Sequence, residues 1–363
     1  MYFVLKRVSR LVFTAFAAAL LLTTQGCNQS SNGTAPRSER VVNILAWVGY
    51  DEQDFVTRLE QASKAKVTVR TYVGGDNMYS MFNSAPPGAY DIVIVDQEYG
   101  SLLFEKGKIV EVPHDYWSSA QRLSPFANKT IAQSAGKKYA IPVRWGALGL
   151  VYNSDKLSDA DVSSYDVLFS SKPKGRIGIF DWWLPNMAVF AKYLSVKNGW
   201  HTDSSFALTR EQLSQLRELM GHLRPQIRSV LPSTGDLISS FRSGAVWLAP
   251  GVGEWAAATL DAEGLPITWT VPKEGGVMWI EAAAVTNPAV TRDEVKRVFL
   301  ALQDPAVNAS LIWRQAYVSQ SPIRESYNFL NENQVRILKA QDISGLERLA
   351  DSLVLLCYLD TSN

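Results

Sequence analysis

The sequence predicts an α/β fold of about two domains. From Val41 onward, short apolar runs of strand type alternate with helical spacings, the pattern of a largely parallel sheet covered by helices. The chain has 363 residues, 47% of them hydrophobic, enough for more than one core by the usual domain length. No self-similar period of roughly 20–50 residues is visible, which argues against a solenoid.

Taken in order, the first segment is a targeting signal. Lys6, Arg7 and Arg10 precede an apolar run from Leu11 to Leu22. That run is too short to span a bilayer and suits a signal-peptide core. It ends at Thr24-Gln25-Gly26-Cys27, which resembles a bacterial lipoprotein cleavage box with Cys27 as the acylated residue. Thr24 and Gln25 depart from the aliphatic and small residues that such a box prefers. Residues 1–26 are therefore read as a lipoprotein signal peptide; an ordinary secretory signal with an incidental cysteine is the alternative. Residues 27–40, polar and poor in apolar side chains, read as a flexible tether. The second cysteine, Cys357, is then left without a partner and reads as a buried, inert thiol.

The full chain carries a net charge of +1. Removing residues 1–26 takes away three bases and no acid, leaving 33 basic against 35 acidic residues, or −2. A near-neutral chain gives no footprint for nucleic acid and no polybasic membrane patch.

"VVNILAW" reads as a strand. "DEQDFVTRLEQASK" places Phe55, Val56 and Leu59 on one helical face, with Asp51 and Glu52 where the helix dipole favours acids. "KVTVRTYV" and "YDIVIVD" read as strands, and "EYGSLLFEKGKIVEV" as a short helix followed by a strand. A second unit follows "YAIPVRWGALGLVYN". Its strands include "GRIGIF" and "AVWLAP", and its helix "LTREQLSQLRELMGHL" has capping-box spacing at Thr209 and Gln212. Thr291 and Glu294 repeat that spacing farther on. In such sheets ligands sit at the carboxyl ends of strands. Here those ends are Trp47 to Tyr50, Asp96 to Tyr99, and Asp181 to Trp183. If "FDWWLP" is extended, Trp182 and Trp183 point to opposite faces.

The three histidines, His114, His201 and His222, lack companions at zinc spacing. Neither a nucleophile elbow nor a phosphate loop occurs. No metal and no cofactor are expected. A carboxylate pair serving a glycosidase remains the enzyme alternative. What stands out is aromatic: 11 tryptophans, several beside acids. The clusters are Trp47-Val48-Gly49-Tyr50-Asp51, Asp181-Trp182-Trp183 and Trp279-Ile280-Glu281. Trp279 and Glu281 share one strand face. Aromatic faces beside a carboxylate suit an organic cation. Taken singly, each tryptophan also fits as a large core or rim residue.

The order and spacing of "VNILAWVGY", "YDIVIVDQEY", "YAIPVRWGALGLVYN", "KPKGRIGIFD", "SGAVWLAP" and "VPKEGGVMWIEAAAV" resemble the periplasmic spermidine/putrescine-binding proteins of ABC transporters, from about Val42 to Tyr317. The resemblance implies a two-lobed periplasmic-binding-protein fold, each lobe a mixed sheet flanked by helices, with the ligand cleft at the hinge. By position, lobe 1 comprises residues 41–144 plus 281–325, and lobe 2 residues 145–280 plus 326–363. Crossings fall near Arg144 to Gly149, near Glu281 and near Glu325. Carried over, Trp47 and Tyr50 match the aromatic walls, Trp279 a tryptophan packed along the ligand's methylenes, Glu281 an amine-binding aspartate, and Tyr317 a late cleft tyrosine.

The departures are as telling. Where the family places two acids, this chain has Asp181, Trp182 and Trp183, so one acid survives and one tryptophan is expected in the cleft with the other packed under lobe 2. In Asp96-Gln97-Glu98-Tyr99, Glu98 stands near a family tyrosine. Arg144 replaces an uncharged residue, either to meet a ligand carboxylate or to bridge to a neighbouring acid. The resemblance implies a monomeric, periplasmic, membrane-anchored binding lipoprotein that hands a polyamine-like organic cation to an inner-membrane ABC permease. The alternatives are an extracytoplasmic carbohydrate-active enzyme and a sensor lipoprotein of the same fold.

Overall fold

The computed structural model describes residues 40–128, 133–134, 137–200, 208–314 and 318–355. The signal segment, the tether, Cys27, Cys357 and Tyr317 lie outside the described residues.

The first unit opens as the alternation predicts. Strand β1 (Val42–Trp47), helix α1 (Gln53–Ser63), β2 (Val67–Tyr72), α2 (Gly75–Ser84), β3 (Ile92–Asp96) and α3 (Gln97–Glu105) follow in turn. Helix α1 buries Phe55, Leu59 and Ser63, four residues apart and hence on one face. It ends at Lys64, in the left-handed conformation at φ 51°. The strand expected at "KIVEV" does not form: the stretch makes one isolated bridge, Ile109 to Thr286. Only Ile109 and Val112 of that segment are buried, and its backbone donates from Val110 to the Val285 carbonyl and from Val112 to the Lys138 carbonyl.

The chain then runs through β4 (Ile141–Asn153), buried along all but its last residue. The second unit adds β5 (Ile177–Phe180), α4 (Trp183–Asn198), α5 (Arg210–Leu223), β6 (Ile227–Leu231), α6 (Thr234–Arg242), β7 (Leu248–Gly253), α7 (Glu254–Ala262) and β8 (Ile267–Thr270). The Thr209–Gln212 capping box at α5 is present. Strand β9 (Val277–Val285) leads back, followed by α8 (Asp293–Ala301), α9 (Pro305–Ile312), α10 (Glu332–Ile337), α11 (Ile343–Ser352) and β10 (Val354–Leu355). The box expected at Thr291 is absent, because α8 begins later, with Arg292 as its N-cap. Arg292 pairs with both Asp91 and Glu294, so Glu294 is drawn to a cation instead of to the backbone.

The strands form one ten-stranded sheet in the order β2-β1-β3-β9-β4-β7-β5-β6, with β8 also on β4 and β10 on β9. Its two ends are parallel, but β9 and β4 pair antiparallel with each other and with their neighbours β3, β7 and β8. The sheet is therefore mixed where strand–helix alternation alone suggests mostly parallel. The two central strands carry register shifts, at Glu281/Ala282 and at Gly149/Leu150.

Separate cores lie on either side of these strands. Val42, Ile44, Phe55, Ile94, Val143, Ala283 and Phe299 belong to one. Leu148, Leu150, Ile177, Phe190, Leu248 and Val277 belong to another. The changeover on β4 falls between Val143 and Ala147, and on β9 between Ile280 and Ala282. The C-terminal helices, whose role the sequence leaves open, pack a further core. Leu346 and Ala350 of α11 meet Leu123, Phe126, Trp145, Met278 and Ile280 there.

Among the described residues, Glu254 is a buried acid with no cation partner. Glu254, at the start of α7, is fully buried; its Oε2 accepts from Ala147 N at 3.3 Å and its Oε1 has no partner. Burial pushes its pKa up to about 8, against the two backbone N–H groups that favour the anion. Below pH 4.5 both folded and unfolded forms are protonated. Above it the unfolded chain ionises first, so the contribution of this group to stability falls with rising pH until about 8. Glu254→Gln is therefore expected to remove a decline of on the order of 1 kcal/mol per pH unit across that window. Urea unfolding at several pH values checks this; identical slopes for variant and wild type would refute it.

Candidate functional site

The carboxyl ends of β1, β3 and β5 do converge. Trp47 ends β1, and its Nε1 donates to Asp96 Oδ1 at 3.0 Å, across to the end of β3. Its ring lies 5.2 Å from Tyr72 and 6.5 Å from Trp182, tilted 57° to the latter. Trp182 comes from the turn after β5, in the other core's territory, and meets Phe180 edge-on at 6.3 Å. Two of the three sequence clusters thus touch through their tryptophans.

The turn that presents Trp182 is not extended. Trp182 is the N-cap of α4 and Trp183 its first residue. The nearby Pro185 is tolerated because it lies in the first turn of the helix. Trp183 is 59% exposed and does not pack under the second unit; the start of a helix turns it outward, where an extended stretch would have sent it inward. Asp181 is exposed beside it. Sequence reading passed over the residue that pins this turn, Asn186. Its Nδ2 donates to the carbonyls of Phe180 at 2.6 Å and Trp182 at 2.9 Å. Gly251, at φ +68°, leaves room for it, since a Cβ there would come within 2.7 Å of Asn186 Oδ1. An asparagine six residues after a predicted strand end is the only sequence signal for this.

Behind the tryptophans lies a charged rung of the sheet. Glu281 of β9 is the cross-strand partner of Asp96 on one side and Arg144 of β4 on the other. Cross-strand neighbours share a face. Arg144 Nε and Nη2 each donate to one Glu281 oxygen at 2.7 Å, a bidentate pair with both side chains about 95% buried. Of the two readings of Arg144, the bridge to a neighbouring acid is the one formed. Burial would lower the guanidinium's pKa, but Glu281, then Tyr50 and Asp96, hold it above its ordinary value.

Two aromatic residues enclose this pair. The Arg144 guanidinium carbon lies 4.8 Å from the Tyr50 ring centre and 5.6 Å from that of Trp279, within cation–π range. Trp279 reaches this position because its strand partner is Gly146, where a Cβ would meet the indole at 2.4 Å. Tyr50 is 1% exposed, and its hydroxyl has no hydrogen-bond partner of good geometry. Burial first, and Glu281 second, push its pKa well up. Arg314, also unforeseen, lies on Tyr50 as well, 5.3 Å from the ring centre, and donates to the Gly49 carbonyl. Glu98 lies on α3, but its side chain is outside the described residues. Among the described residues no group of His, Cys, Asp and Glu side chains could hold a metal, and no helix is long and apolar enough to cross a membrane.

Comparison with known proteins gives this geometry a context. The spermidine/putrescine-binding periplasmic protein of Escherichia coli is 23% identical over 293 residues, covering 80% of this chain and 78% of that one. Among solved structures, the spermidine/putrescine ABC transporter substrate-binding protein of Streptococcus pneumoniae superposes with a TM-score of 0.71 at 17% identity, covering 89% of this chain and 94% of that one. The two-lobed periplasmic-binding-protein fold expected from the resemblance is thus the observed one. The fold also occurs in an enzyme: thiaminase I from Bacillus thiaminolyticus superposes with a TM-score of 0.67 at 12% identity, over 88% of this chain and 94% of that one. The family model of bacterial extracellular solute-binding proteins matches residues 54–301, well over half of the sequence. The chain belongs to the bacterial extracellular solute-binding proteins.

Proposed function

We propose that this protein is the extracytoplasmic solute-binding component of an ABC importer, and that it captures a polyamine or related organic cation by closing two lobes around it. The observation that carries this reading is the meeting of Trp47 and Trp182, 6.5 Å apart, from elements that belong to different cores, with the Asp96 carboxylate held on Trp47. Two electron-rich faces and an acid make a cation site. Lobe 1 is residues 41–144 plus 281–325 and lobe 2 residues 145–280 plus 326–363. The hinge lies where β4 and β9 pass between cores, near their register shifts. Each lobe brings one wall, so bound ligand gains contacts only in the closed form and shifts the population toward it. A permease can then read the closed shape. Cys27 carries the lipid anchor, the tether lifts a monomer off the membrane, and the protein binds its solute without chemical turnover. The likeness to a spermidine/putrescine-binding relative supports the ligand class.

Thermal unfolding against putrescine, spermidine, choline, betaine, basic amino acids and sugars tests the reading. A ligand at about a hundredfold over its dissociation constant adds about 2.7 kcal/mol to stability, a shift of a few degrees. An amine is expected to raise Tm. Silence of every amine together with a response to a sugar would refute the cation assignment.

A further inference from the structure

We infer that Arg144 is a built-in cation that fills the inner half of the cleft, so that the external ligand carries a single positive head and a diamine is the poorer fit. This rests on the proposed reading of the cleft as an organic-cation site. The box formed by Tyr50, Trp279 and Glu281 has what a free ammonium needs: two ring faces and a carboxylate. It is already occupied by a guanidinium, 4.8 Å and 5.6 Å from the two ring centres and bonded twice to Glu281 at 2.7 Å. Arg144 is 3% exposed and stands on the buried central strand, so nothing short of breaking a buried pair vacates the box.

Arg314 makes the inner end still less hospitable to an incoming ammonium. It is 5% exposed, faces the same Tyr50 ring, and its Nε and Nη2 have no partner among the described residues. Burial and the neighbouring Arg144 depress its pKa to about 10, against Tyr50, Glu52 and Glu281. Arg144 already holds both Glu281 oxygens, and Arg314 brings a second guanidinium to the same Tyr50 ring. The outer half is different: Trp47 and Trp182 supply rings, and Asp96 and the exposed Asp181 supply acids. One ammonium or quaternary ammonium head fits there. The second head of a diamine would have to meet Arg144.

Calorimetric titration of the purified protein and its Arg144→Ala variant with n-butylammonium, choline and putrescine tests this. The wild type is expected to bind a single-headed cation at least as tightly as putrescine, and the variant to gain tenfold or more for putrescine relative to n-butylammonium. In Arg144→Ala/Glu281→Gln the gain is expected to vanish. n-Propylguanidinium, which replaces the lost side chain, is expected to raise the Tm of Arg144→Ala clearly more than that of the wild type, in which only the outer half is open to it; this readout holds even if the variant is poorly stable. A wild type that prefers putrescine tenfold, no putrescine gain in Arg144→Ala, or a gain that persists in the double variant would overturn the inference while leaving an organic-cation binder in place. If neither protein binds any amine, both this inference and the proposed function fall.

Discussion

Glu281→Ala is expected to lower the unfolding free energy by about 3–5 kcal/mol, because it leaves a buried guanidinium without its counter-ion. The pair is bidentate, both side chains are about 95% buried, and Arg144 stands on a strand buried along nearly its whole length. The Asp96 carboxylate, next on the same rung, recovers only part of the loss, since it already accepts from Trp47. The control is Arg144→Met with Glu281→Leu. Removing both charges leaves a packed apolar pair, and such replacements are often neutral or stabilising. Urea unfolding of both variants without ligand checks the prediction. A single-variant loss below about 1 kcal/mol, the scale of an exposed pair, would mean that the bridge is not buried in solution.

Trp47→Ala carries the second large effect, on binding. The indole touches Tyr72 and Trp182 and fixes Asp96, so truncation removes one wall and frees the acid from its orienting donor. A loss of about 2–4 kcal/mol in affinity is expected, the range of aromatic hot spots, or roughly 30- to 1,000-fold in Kd. Trp47→Phe keeps a ring and loses only the Nε1 hydrogen bond to Asp96, so it should cost about 1 kcal/mol. Titration of the amine that responds in the thermal panel measures both. Unchanged affinity in Trp47→Ala would remove this tryptophan from the site.

The parts of the fold visible in the sequence were those set by short-range pattern. The β1-α1-β2 start follows from apolar spacing, and the α5 cap from Thr209 and Gln212. The failures have long-range causes. Glu294 has the spacing of a cap residue but is claimed by Arg292, itself fixed by Asp91 about two hundred positions away in the chain. "KIVEV" alternates well enough for a strand, yet no free ladder edge receives it beyond one bridge. In the site, the tryptophan–acid clusters were legible because each is contiguous. The Arg144–Glu281 bond joins residues 137 positions apart, and only the register of β4 against β9 decides which acid the arginine finds. Trp183 departs from expectation for a smaller reason: Pro185 fits a first helical turn, and that turn points Trp183 outward while Trp182 meets Trp47.

The two shared strands also constrain how the chain can fold. The first core is built from residues near the start of the folded region, but it also needs Ala283 and Val285 from β9 and Val295, Phe299 and Leu311 from the helices after it. Between β3 and its sheet neighbour β9 the chain makes the whole of the second unit. Closing so long a loop costs entropy before any packing is gained, and pairings of this separation slow folding. A chain shorter than about 285 residues lacks the strand that joins β3 to β4. The first unit therefore stays incomplete until most of the polypeptide has been made.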